Sequence, residues 1–245
     1  MGIRGFWLCV LLALPSPASA LTIMVEDAAQ PFSGPDGTGY ANDVVKAAFQ
    51  AAGVDLILDV VPYARCKREV ESGGTAACFS MSSYPGVEKF VAFSKLPVFQ
   101  VYADMFVNSQ ASIRKPSDIR PGMVVGIINQ YEYPASIDRL RGAGAVLQPA
   151  ANDNANLKML ALGRINAAIV MTNDLAPEGQ KAIDAGVGKD VRYAFRAGIE
   201  RSYVGFSQKN PQGPWAKAKF DAGYRRIAAN GTLAALRRRW AEREK

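Results

Sequence analysis

Short apolar runs and amphipathic stretches alternate along this chain. The strand-like run LTIMV is followed by a polar loop, DAAQPFSGPDGTG, and then by apolar positions at helical spacing from Asn42 to Ala52. VDLILDVV reads as a strand, PYARCKREVESG as a helix and TAACFSM as a strand again, an alternation that predicts a sheet with helices on its faces. Near PVFQVYADMFV the pattern changes to a longer run of β-formers, closed by the turn-rich NSQASIRKPSDIRPG. A second unit then begins, with strands at MVVGII, AVLQPA and NAAIVM and helices at YPASIDRLRGAG and NANLKMLALGRI. After VRYAFRAGIERSYVGFSQ the chain reads as helical from Gly213 to Lys245, with a break near Asn230-Gly231. Two α/β units with a strand-rich crossing predict two lobes and a cleft, with lobe one at 21–106 plus 204–245 and lobe two at 107–203. Ligands of open α/β sheets collect at the carboxyl ends of strands, so the loops after IMVED, CFSMS, VVGII and AAIVM are expected to face that cleft.

The first twenty residues stand apart. Arg4 precedes the apolar GFWLCVLLALP, which is short for a membrane span, and Ala18 to Ala20 form a small-residue cleavage site, so residues 1–20 read as a secretory signal peptide. Cys9 lies inside the apolar run rather than just after the cleavage site, which argues against a lipid-anchored start. A soluble, exported and therefore periplasmic chain is expected. Removing Arg4 takes the formal charge from +7 to +6, but the basic residues are scattered, and the densest cluster, RRRWAEREK, is interleaved with acids. That pattern reads as a solvated helix face rather than a nucleic-acid site.

The sequence contains no histidine, which excludes histidine-based triads and imidazole metal ligands. Cys66 and Cys78 remain after cleavage, too few for a metal cage, and no metal or other cofactor is expected. Tyr63, Cys66 and Val70 share one helix face and Cys78 lies on the following strand. The two thiols either pair, closing a loop worth about 3 kcal/mol, or stay buried and free.

The order of EDAAQPFSGPDGTGYANDVVKAAFQAAGV, VPYARCKREVESGGTAACFSMS, VAFSKLPVF, KPSDIRPGMVVGI, NQYEY, NLKMLALGRINAAIV and the tail from Lys209 resembles bacterial periplasmic solute-binding proteins of family 3, the polar amino-acid class that serves ABC transporters. The likeness runs from Leu21 to Lys245. It implies a two-lobed α/β fold of the type II periplasmic-binding-protein kind, a Venus flytrap with its ligand cleft between the lobes. It further implies a monomer that binds a small molecule, without converting it, and docks on an inner-membrane ABC permease. The segment VPYARC is similar to a subgroup with Pro-Trp-x-Arg, here with Tyr63 for tryptophan and Arg65 as the arginine. Two features of the family pattern are missing. Where typical members carry Thr-Pro-Glu-Arg, whose arginine forks onto a ligand carboxylate, this chain has SSYPGVEKF, with Gly86 or Val87 at that place and Lys89 as the nearby base. Where the family ends a lobe-two strand with an ammonium-binding aspartate, this chain has Met171, and Asp174 follows three residues later.

The candidate ligand residues follow from these loops. Glu26, with Asp27, ends the first strand and can meet a cationic group; Phe32 offers a ring face or packs under its loop. Tyr63 and Arg65 open a helix, where Arg65 either binds an anion or pairs with Glu69. Ser80, Ser82 and Ser83 offer hydroxyls and turn amides, a cradle for carboxylate, sulfonate or sugar oxygens. In lobe two, Asn129, Gln130 and Tyr131 follow a strand, and Thr172 and Asp174 follow another, although Asp174 can equally cap the next helix. The expected solute is small and polar, amino-acid-like or a small organic anion. Two other functions fit the same fold: a cyclohexadienyl-dehydratase-like enzyme using a cleft carboxylate, and a receptor that signals to a membrane sensor rather than an importer.

Overall fold

In a computed structural model, which describes residues 20–27, 29–83, 86–128, 133, 135–177 and 179–243, each apolar run becomes a strand and each amphipathic stretch a helix. The first unit comprises β1 (Leu21–Glu26), α1 (Tyr40–Ala51), β2 (Leu56–Val61), α2 (Tyr63–Ser72), β3 (Ala77–Met81) and β4 (Val91–Phe93). The second comprises β5 (Phe99–Asn108), β6 (Val124–Ile128), α3 (Ser136–Gly142), β7 (Val146–Ala150), α4 (Asp153–Ala161), β8 (Ala167–Asn173) and α5 (Gln180–Asp184). Strand β9 (Val191–Ser207) then leads into α6 (Gly213–Ala229) and α7 (Thr232–Arg243). The predicted signal peptide, apart from Ala20, lies outside the described residues, as do Asn129, Gln130 and Tyr131.

In β1, Leu21, Ile23 and Val25 are buried and alternate with less buried positions, as a half-buried strand requires. In α1, Val44, Val45, Ala48 and Phe49 turn one apolar stripe inward. This helix starts two residues earlier than the pattern suggests, after Gly39, whose φ is 149°. A Cβ there would lie 2.1 Å from the carbonyl oxygen of Phe32, so only glycine lets the loop bearing Phe32 close over the helix start.

The strands run in the order β2-β1-β3-β9-β5-β8-β6-β7, with β4 also paired to β9. β1 and β2 are parallel, as are β6 and β7, whereas β9 runs antiparallel to β3, β4 and β5. Pro149 lies in β7, at the edge of the sheet, where a missing N–H interrupts no central ladder. The strand-rich crossing is the β5/β9 pair: Phe99 to Asn108 face Ser202 to Val191, while Tyr203 to Ser207 of β9 continue against β3 and β4. β5, assigned to the first unit through residue 106 by its pattern, is bonded along its length to β9 and from Val101 onward to β8.

The first unit packs around Phe49, Phe79, Phe206 and Phe220, under α1 and α6. The second is filled by Met105, Ile137, Leu140 and Ile169 in one cluster and by Phe106, Leu157, Leu160 and Val170 in another. Leu175, just after β8, joins the core of the first unit and ties the second to it. Cys66 of α2 and Cys78 of β3 are joined by a disulfide, with Cα atoms 5.7 Å apart, amid Val61, Val70, Met81 and Val87.

Replacing Cys66 and Cys78 together by Ala is expected to cost about 3 kcal/mol, through a looser unfolded chain and a lost core contact. Chemical denaturation of both forms measures the difference; intact mass after alkylation, with and without reductant, checks that the thiols are paired.

Candidate functional site

The carboxyl ends of β1, β2 and β3 open on one side of the first unit, and each delivers a polar group there. Glu26 is the last residue of β1, Tyr63 opens α2 just past β2, and Ser80 sits at a bulge of β3 between Phe79 and Met81. Ser80 is in the left-handed region at φ 70°, the sole non-glycine residue there among those described, and its buried hydroxyl lies against the Glu26 carboxyl. A strained backbone beside a cavity is a common mark of a binding site.

These groups line a cavity of about 920 Å3 between the two units. Six of the residues expected from sequence are brought together in it: Glu26, Phe32, Tyr63, Ser80, Ser82 and Thr172. Phe32 is buried and stacks face to face on Phe99 with ring centroids 3.8 Å apart and planes at 9°, so it both packs under its loop and walls the cavity. Met171, at the place where an aspartate was expected from the family pattern, lines the cavity too.

The other expected residues lie elsewhere. Arg65 is exposed on the first turn of α2 and does not line the cavity; Glu69, its alternative partner, is 3.0 Å from Arg68 instead. Ser83 is exposed and outside the lining. Asp174 is ion-paired with Arg237 of α7, and the following helix is capped by Gly179 rather than by Asp174. It borders a smaller recess of about 220 Å3 that adjoins the main cavity. That recess also holds a closed charge network: Arg196 reaches both oxygens of the buried Asp104 at 2.9 and 3.2 Å, lies 3.4 Å over the ring of Tyr102, and shares Asp104 with the Thr172 hydroxyl. The pair raises the Arg196 pKa further and leaves no free charge.

Several lining residues escaped sequence reasoning. Glu200 and Ser202 project from β9, opposite Val101 and Phe99 of β5, so the ladder joining the units is also a wall of the cavity. Asp153 opens α4, behind the capping Asn152, and is 3.2 Å from Lys181 Nζ. Trp240 of α7 reaches the cavity while its indole N–H donates to Asp43. The alternation in AGIERSYV places 200 and 202 on one face, but nothing in it says which face meets a cavity.

Burial governs the acidic groups. It pushes the Glu26 carboxyl up to about 7, the charge of Asp27 adding to the effect and the Ser80 hydroxyl opposing it. Burial also raises Asp153, against the opposing pull of Lys181. Glu26 therefore holds its proton more tightly when folded, an advantage complete below its ordinary value of 4.5 and lost as pH rises through about 7.

Glu26→Gln is accordingly expected to raise the melting temperature of the unliganded protein by a few degrees at about pH 8 and to leave it nearly unchanged at about pH 4. Calorimetry across that range tests this; a pH-independent difference would place the carboxyl in open solvent.

The sequence profile of the bacterial extracellular solute-binding proteins, family 3, matches residues 21–243. No curated protein sequence matches the chain. Among solved structures, the unliganded, open L-cystine solute receptor of Neisseria gonorrhoeae is 20% identical, with 91% of this chain and 92% of that one covered at a TM-score of 0.65. Substrate-binding domain 2 of Lactococcus lactis GlnP, also open, is 18% identical over 93% and 97% at a TM-score of 0.64. A histidine kinase sensor domain similar to periplasmic binding proteins is 16% identical over 91% and 96% at a TM-score of 0.65. At these identities the likeness is one of fold.

Proposed function

The chain belongs to the bacterial extracellular solute-binding proteins of family 3, and we propose that it is the solute receptor of an ABC importer. In this reading residues 1–20 direct export and are removed, and the mature monomer works in the periplasm. A small polar solute enters between the lobes, and the loaded form docks on an inner-membrane permease, with no chemical step on the solute. The observation that carries the reading is the cavity itself, walled by strand ends of both lobes and by the two strands that join them. The cystine receptor and the GlnP domain support import, and the sensor domain marks the same fold in signalling. Among the described residues no helix is long and apolar enough to cross a membrane.

A ligand drives closure only through its preference for the closed form. Taking an open to closed population from about 1:99 to 99:1 needs about 5.5 kcal/mol of differential affinity. A few hydrogen bonds to buried, unpaired groups and one aromatic contact are enough for that.

Small-angle scattering of residues 21–245 against a metabolite library is expected to find at least one compound that shrinks the radius of gyration and raises the melting temperature. A library that changes neither, or a compound consumed by the protein, would count against the receptor reading.

A further inference from the structure

Resting on the solute-receptor reading, we propose that the cavity selects small organic cations without a carboxylate: amines, guanidines or quaternary ammonium compounds. The chain as a whole is basic, with 29 lysines and arginines against 22 acids. The cavity reverses this balance, for Glu26, Asp153, Asp184 and Glu200 line it against Lys181 alone. Lys181 is committed to Asp153, and Arg196, in the adjoining recess, is committed to Asp104. Among the described residues neither Glu26 nor Glu200 has a lysine or arginine partner, and Asp184 is met by the Gln180 amide. Among the described lining residues no lysine or arginine is free to receive a ligand carboxylate, which Asp184, Glu200 and, once deprotonated, Glu26 would repel.

The second observation is independent of charge. Ser202 lines the cavity, is buried at 5% exposed, and has an Oγ without a hydrogen-bond partner, two residues from Glu200 on the same face of β9. The buried Ser80 hydroxyl lies against Glu26. Glu26 and Glu200 are therefore each accompanied by a hydroxyl whose oxygen can accept an N–H, so a cation held there meets both charge and hydrogen bond. Tyr63 and Trp240 add aromatic area that suits an alkyl or aryl body, although one face of Trp240 is taken by Arg243, 4.8 Å from its ring centroid. A bare metal ion is a poor fit: no group of three or more acids or cysteines among the described residues could hold one, and the space is far larger than an ion.

Titration calorimetry of residues 21–245 with matched pairs tests this: cadaverine and free lysine, agmatine and free arginine, phenethylamine and free phenylalanine, together with choline and glutarate. At least one amine, guanidine or quaternary member is expected to bind, and in its pair to exceed the amino acid by about tenfold or more. Glu200→Gln is expected to weaken that binding by about tenfold or more with the melting temperature held; should that variant fail to fold, Ser202→Ala, which removes the unpaired hydroxyl, serves in its place. An amino acid matching or surpassing its decarboxylated partner, glutarate binding in preference, or no response to any cation overturns the proposal. If zwitterions or anions bind and contract the protein while cations do not, the receptor reading stands and the charge preference falls; if nothing in any library binds, both fall.

Discussion

The fold depends on one ladder, the antiparallel pairing of β5 with β9. β9 runs for 17 residues, long enough to bond to the second unit through Ser202 and then to β3 and β4 of the first. The two units are consequently joined by paired strands rather than by free linkers. Any change in the angle between them must be absorbed by twist in this ladder, whose register shifts between Ala103 and Asp104 and between Met105 and Phe106. Because Phe99, Val101, Glu200 and Ser202 stand on it, the same strands that join the lobes also wall the cavity.

The cavity concentrates arrangements that a protein built only for stability would avoid. Ser80 holds a left-handed backbone, the Ser202 hydroxyl is buried unpaired, and Glu26 is desolvated far enough to bind a proton near neutrality. Each is a local cost, and they lie in one space. The rest of the chain is conventional by comparison: an alternating β1, a one-sided α1, phenylalanine-rich packing and a disulfide. Local rules broken together at one place, in an otherwise consistent structure, are what a site for an absent partner molecule looks like.

Element types were legible in the chain because periodicity is local. The run LTIMV and the helical spacing after Gly39 need no knowledge of the rest of the molecule, and the loops at strand ends could be named in advance because α/β sheets bind ligands there. Partnership was less visible. Nothing in VRYAFRAGIERSYVGFS tells that its two halves pair with different lobes, so Glu200 and Ser202 read as ordinary strand positions. Arg65 was assigned by likeness to a motif, but a helix's first turn leaves the direction of a long side chain open, and here it is exposed. Asp174 looked like a cleft residue until Arg237, 63 positions away, took it up.

The indole of Trp240 borders the cavity while anchored to Asp43. Trp7 lies outside the described residues, and Trp215 is 45% exposed on α6, outside the cavity lining. The described residues thus carry one indole fixed at the wall of the cavity and a second in solvent as an internal reference, so a change at the cavity is readable from native emission, without a dye or label.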